Sequence, residues 1–122
     1  MEAKKNVDRL KRVLVEIEDN NDACQQLDLS ADKFQSTILV IKISVSDFFW
    51  KLNSNVIFVS EDLLVSLNMY YKNIFIIQTT DNKYLSAEVV KSFMDKQSEI
   101  IKYLSNEIKE EEKNLSLLTN NE

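Results

Sequence analysis

SDFFWKLNSNVIFVSEDLLVSLNMYYKNIFIIQTTDN, residues 46–82, constrains the architecture more than any other part of the chain. Ser46 and Asp47 stand before Phe48, Phe49 and Trp50. Their side-chain oxygens can accept from the free amides of a first helical turn, so the pattern predicts a short aromatic helix over 46–53. Asn53-Ser54-Asn55 is expected to end it, because asparagine tolerates the left-handed conformation of a C-cap. Val56 to Val59 is too short an apolar run for a helix of its own. Ser60-Glu61-Asp62 then reads as a fresh start, a capping hydroxyl with two carboxylates where the helix dipole favours negative charge. Leu63, Leu67, Tyr70, Ile74 and Ile77 recur at steps of three and four, and Leu64, Tyr71 and Phe75 widen the stripe. That period buries one face of a helix of about five turns. The aromatic residues read as core rather than as a ligand pocket. Tyr70 and Tyr71 are adjacent, so one of the two hydroxyls is expected to reach solvent.

The flanking segments repeat the helical period. Val7, Leu10, Leu14, Ile17, Cys24 and Leu27 predict a first helix over 3–28, with Asn21 at a core position. Residues 29–45 are ambiguous: Phe34, Ile38 and Leu39 have helical spacing, whereas Ile41, Ile43 and Val45 alternate as in a strand. A helix is favoured there, since an α/β reading with strands at 38–45, 55–59 and 74–80 would cut the Leu63–Ile77 stripe in half. Ser86-Ala87-Glu88 opens a last helix over 85–115, with Val90, Phe93, Met94, Gln97, Ile101, Leu104 and Ile108 on its apolar course. Residues 116–122 are expected to be a disordered tail. The expected architecture is therefore all-α, an antiparallel bundle of about four helices plus the short aromatic helix, in one domain over 1–115. Its core is expected to hold Leu10, Leu14, Ile17, Phe48, Trp50, Leu63, Leu67, Tyr70, Ile74, Phe93, Ile101 and Leu104.

Composition supports that class and removes much chemistry. The 122 residues include no glycine, proline or histidine. At average usage about fourteen glycines and prolines would be present, and folds rich in tight turns depend on them. Without glycine there is no phosphate-binding loop, dinucleotide fingerprint or EF-hand. Without histidine there is no Ser/His or Cys/His nucleophile pair and no His-containing zinc site. The single cysteine, Cys24, forms no intrachain disulfide and reads as a small buried hydrophobe in a reducing compartment. Two acidic groups, Glu16, Glu18, Asp19 and Asp22, then Glu110, Glu111 and Glu112, read as solvated faces, and an enzyme using carboxylates and a divalent cation ranks third among the functional readings. No cofactor is expected.

The net charge of −5 is uneven: Lys4, Lys5, Arg9, Lys11 and Arg12 make the start basic, and the end is acidic. An acidic chain without a basic stripe is a poor nucleic-acid binder. The longest apolar runs, Ile38 to Ile41 and Ile74 to Ile77, fall far short of the roughly 20 residues that cross a bilayer, and no signal peptide is visible, so a soluble chain is expected.

Arg9-Leu10-Lys11-Arg12 running into Glu16-Ile17-Glu18-Asp19-Asn20-Asn21 is followed by Ser46-Asp47-Phe48-Phe49-Trp50, then Leu63 to Tyr71 and Ile74. This order resembles a recurrent type of uncharacterised prokaryotic protein in which one or two membrane helices precede a helical domain. The likeness spans most of residues 7–108. The sequence departs from it in using Asn53-Ser54-Asn55 where a small residue is usual, and in lacking the membrane helices. The resemblance implies an intracellular helical domain close to a membrane, free-standing or part of a longer protein. The expected function is a non-enzymatic protein-interaction domain at the cytoplasmic face of a membrane, its partner another protein or itself, with Lys4, Lys5, Arg9 and Arg12 as candidate contact residues. The alternative is a small soluble acidic inhibitor or regulator of the phage or plasmid type that binds a host protein.

Overall fold

The computed structural model describes residues 2–120, with side-chain surroundings for 2–118. Five α-helices follow one another: α1 (Glu2–Cys24), α2 (Phe34–Ser44), α3 (Phe48–Asn53), α4 (Glu61–Thr79) and α5 (Ala87–Asn120). Single 3₁₀ turns, Ser54–Val56 and Asn82–Tyr84, follow α3 and α4. There is no strand among the described residues, so the chain is all-α, with four longer helices and the short aromatic one. Lys11 pairs with Glu112 while Cys24 lies beside Gln97, so α1 and α5 run antiparallel. Ser60 meets Glu107 and Tyr70 meets Gln97, so α4 and α5 do too.

The core forms where the stripes meet. Leu10, Val13 and Ile17 of α1, Leu67, Tyr70 and Ile74 of α4, and Phe93 and Leu104 of α5 are almost completely buried. Each such aliphatic side chain contributes about 1.5–3 kcal/mol on leaving water. Ile38, Ile41 and Val45 complete the core from α2 and its C-cap. Their three-four spacing resolves the ambiguity of 36–45: Ile43 points outward, 84% exposed, so the Ile41–Ile43–Val45 alternation is not a sheet face.

Several expectations need correction. Phe48 is 70% exposed, because the short α3 buries Trp50 and turns Phe48 and Leu52, four residues apart, to solvent. Leu14 and Ile101 are only half-buried and pack at the edge of the core, while Val13 and Ile100 hold the interior positions. Phe75 is exposed, whereas Tyr70 and Tyr71 are both buried with both hydroxyls bonded inside the protein. α1 stops at Cys24, and Leu27 folds back against the core from the following turn. No described residue has positive φ, so the Asn53-Ser54-Asn55 exit is a 3₁₀ turn rather than a left-handed cap. The expected tail from 116 is instead helical through Asn120, continued by strong helix formers over Lys109–Lys113; residues 121–122 lie outside the described residues.

Candidate functional site

Two features stand apart from ordinary helix packing: a polar clamp on α1 and a furrow between α4 and α5.

The clamp arises because α1 buries more than its apolar stripe. Asn6, Glu16 and Asn20 are buried with it, and each holds part of the segment 46–58. Asn6 Nδ2 donates to the Phe58 carbonyl at 2.7 Å, and its Oδ1 accepts from the Phe58 N–H at 2.8 Å. Asn20 does the same to Ser46, at 2.9 and 2.7 Å. Each asparagine thus satisfies a backbone unit that has no helix or sheet partner. Between them Glu16 caps α3 from another helix. Its Oε2 accepts from the Phe49 N–H at 2.7 Å and the Ser46 hydroxyl at 3.3 Å; its Oε1 accepts from the Trp50 N–H at 3.3 Å and the Tyr71 hydroxyl at 2.8 Å. A carboxylate there satisfies the orphan amides of the first turn and meets the positive end of the helix. Ser46 and Asp47 were the expected caps, but Ser46 contributes one contact, to the Phe48 N–H, and Asp47 none from its side chain.

Aromatic stacking continues the clamp into the core. Trp50 lies flat on Tyr71 at 5.0 Å, Tyr71 meets Tyr70 edge to face at 5.0 Å, and Tyr70 stacks on Phe93 at 5.3 Å. Burial pushes the Tyr71 phenol well above its ordinary range, and the Glu16 charge pushes it further. Burial raises Tyr70 likewise. The Tyr70 hydroxyl donates to Gln97 Oε1 at 2.6 Å and accepts from Asn20 Nδ2 at 3.2 Å. Gln97 Nε2 has no conventional hydrogen-bond partner; it faces the Cys24 thiol, which burial pushes up and the amide pulls down less strongly. Cys24 is sealed within the core and unavailable as a nucleophile in the folded chain.

The expected contact residues at the basic start divide. Arg9 Nη1 reaches the Val56 carbonyl at 3.3 Å, and the Arg12 guanidinium lies 4.7 Å above the Phe49 ring, so both serve the 46–58 segment. Lys4 and Lys5 are exposed, with Lys5 3.8 Å from Glu2 in a solvated pair. The acidic group near the end of α1 is not a uniform face: Glu18, Asp19 and Asp22 are exposed, but Glu16 is internal. Among the described residues no three ligating side chains converge on a metal position.

The furrow runs along α4 and α5. It opens as a cavity of about 650 Å³ where α4 begins and α5 nears its end, lined by Asp62, Leu63, Tyr103, Glu107, Glu110 and Glu111. Ser66 and Tyr103 continue it into a second hollow, and Lys96 joins that to a third of about 310 Å³ beside Ile76 and Val89. Met69, Ile76, Val89 and Tyr103 are each at least two-fifths exposed along this line. The signal for the clamp is present as polar residues inside an apolar period, with Asn21 at an expected core position one residue from the buried Asn20. The furrow has no such signal, since only the packing of α4 on α5 creates it.

A scan against protein-family models, a search of the curated proteins and a search of the solved structures returned no match to this chain. The likeness to membrane-anchored prokaryotic proteins rests on the sequence pattern alone.

Proposed function

We propose that the protein is a non-enzymatic helical interaction domain that engages a protein partner through the α4–α5 furrow. The observation that carries this reading is the line of exposed Met69, Ile76, Val89 and Tyr103 along a continuous cleft between two core helices. Grooves of this kind receive the apolar face of a partner helix. The interior polar groups are meanwhile committed to holding the chain: the Glu16 carboxylate accepts four hydrogen bonds, from the Phe49 and Trp50 amides and the Ser46 and Tyr71 hydroxyls. Work at the cytoplasmic face of a membrane is part of the proposal through the family likeness and the exposed Lys4 and Lys5, which suit an anionic surface. A second reading, a small regulator that masks a basic surface on a host protein, is favoured by the carboxylates along the furrow.

The test is complex formation by the full chain, followed by mass measurement and crosslinking in extract of the source cells. Met69→Glu with Tyr103→Glu is expected to abolish the complex while leaving helicity and melting unchanged. A strictly monomeric protein that forms no complex, or a complex indifferent to both substitutions, would refute the reading. Fractionation of source cells checks the location, which predicts the protein in the membrane pellet.

A further inference from the structure

The geometry points to a specific occupant for the furrow: a lysine- or arginine-rich amphipathic helix of a protein partner. This rests on the interaction reading above and adds the partner's chemistry.

Length comes first. The shared wall is limited by the 19 residues of α4, which at a rise of about 1.5 Å per residue gives a cleft of about 28 Å, the length of a helix of about 18 residues. The apolar positions come second. Met69 and Ile76 on α4 lie seven residues apart, and Val89 and Tyr103 on α5 fourteen apart, so the cleft presents exposed apolar side chains about two and four helical turns apart, with Ser66, Asn73, Ser92 and Lys96 between them.

Charge decides the flanks. Asp62, Glu88, Glu99, Glu107, Glu110 and Glu111 line the cleft against the single ammonium of Lys96. Among the described residues none of these carboxylates forms an ion pair within the chain; the two salt bridges use Glu2 and Glu112. Glu107 is partly occupied by the Ser60 N–H. The acids are strung along the helices and do not converge on one point, which suits several cationic side chains spaced along a helix better than one bound ion. Asp62, Glu107, Glu110 and Glu111 gather at one end, so the partner's basic residues belong in one terminal half. The same field repels phosphate, which sets this face against nucleic acid and anionic lipid.

The experiment uses the full chain and three fluorescein-labelled probes: a synthetic helix of about 18 residues with a leucine stripe and lysines in one terminal half, a twin with glutamates replacing those lysines, and oligolysine of equal length. Anisotropy titrations are run at about 50 and about 300 mM salt, across which the Debye length shortens about 2.5-fold. The basic helix is expected to bind at least about ten-fold more tightly than its acidic twin and to lose most of that margin at high salt. Glu110→Lys with Glu111→Lys should erase the preference, and the milder Glu110→Gln with Glu111→Gln should reduce it without stressing the fold. Met69→Ala with Tyr103→Ala should weaken the basic helix with circular dichroism unchanged. Equal binding of oligolysine would overturn the proposal by showing charge without a groove. Equal binding of the acidic twin, still sensitive to Met69 and Tyr103, would overturn the charge assignment and leave the interaction reading standing. Failure of every helix to bind, with complex formation in extract retained, would overturn this occupant alone; failure of both would overturn the two together.

Discussion

Replacing Glu16 by glutamine keeps the shape of the side chain and removes its charge. It also turns one of two acceptor oxygens into an NH₂ donor, yet all four groups around Glu16 donate to it: the Phe49 and Trp50 amides and the Ser46 and Tyr71 hydroxyls. Whichever way the amide sits, donors meet a donor. A buried donor left unpaired costs about 1–3 kcal/mol, and loss of an N-cap costs about 1 kcal/mol. The hydroxyls can rotate and water can enter from the cavity beside Arg12, Asp19 and Phe49, which lowers the total. The expected loss is about 2 kcal/mol for Glu16→Gln and about 3 kcal/mol for Glu16→Ala. At about 2.1 cal/mol/K per residue, a chain of this length loses about 4 °C in Tm per kcal/mol, so the alanine variant should melt about 12 °C lower. Urea titration by circular dichroism gives the free energies, and Trp50 fluorescence reports α3 locally, since Trp50 stacks on Tyr71. A double-mutant cycle with Tyr71→Phe should show coupling of about 1 kcal/mol or more. A glutamine variant within about 0.5 kcal/mol of wild type, with unshifted Trp50 emission, would refute the view that Glu16 caps α3.

Asn20→Ala and Asn6→Ala each remove a two-bond grip on a loop backbone, and each should cost about 1–3 kcal/mol; amide exchange should speed up at Ser46 in the first variant and at Phe58 in the second, and the reverse pattern would contradict the contacts. Tyr70 and Tyr71 both hold their protons more tightly folded than unfolded, where a phenol titrates near 10. Their contribution is fully present below pH 10 and is lost as pH rises beyond it, at up to about 1.4 kcal/mol per pH unit for each. Urea midpoints from pH 8 to 11 should therefore fall steeply at the alkaline end, and Tyr71→Phe should shallow that fall; an unchanged slope would argue against a buried phenol. Phe93→Ala should cost about 3–5 kcal/mol and Phe48→Ala under about 0.5 kcal/mol, a contrast that thermal melts of the two variants resolve and that the reverse ranking would refute.

How much of this was legible in the sequence depends on the kind of contact involved. The stripe from Leu63 to Ile77 and the course from Val90 to Ile108 repeat with the period of a helix, and those helices exist. Ser86 was legible as a cap because the bond it makes, from the Val89 N–H, spans three residues. Period alone fixes which residues share a face, but not how wide a face the neighbours cover. That is why Val13 and Ile100 displaced Leu14 and Ile101, and why Phe48 and Phe75 ended outside. Glu16 was unreadable for a different reason. Its partners lie 30 to 55 residues away, and three of the four contacts involve the segment that precedes and begins α3, whose path is set by the same contacts.

The missing glycines and prolines connect the clamp to the surface left free. The connection through 45–60 must reverse and restart helices twice, yet none of its residues adopts positive φ. Turn chemistry cannot fix its course, so the order must come from elsewhere. The polar side of α1 supplies it: Asn6 and Asn20 hold the Phe58 and Ser46 backbones, Arg9 reaches the Val56 carbonyl, Arg12 covers Phe49 and Glu16 caps α3. The apolar stripe of α1 meanwhile packs on α5. α1 is thus engaged on both sides, and two of its five early cations, Arg9 and Arg12, lie against the 46–58 segment at the surface. The consequence is an uneven surface. Positive charge at the start is partly engaged by the 46–58 segment and partly paired at Glu112, whereas among the described residues the carboxylates lining the furrow form no ion pair and lie beside exposed apolar side chains. A chain organised this way sets exposed apolar side chains beside carboxylates along the furrow, a surface opposite in chemistry to the basic start.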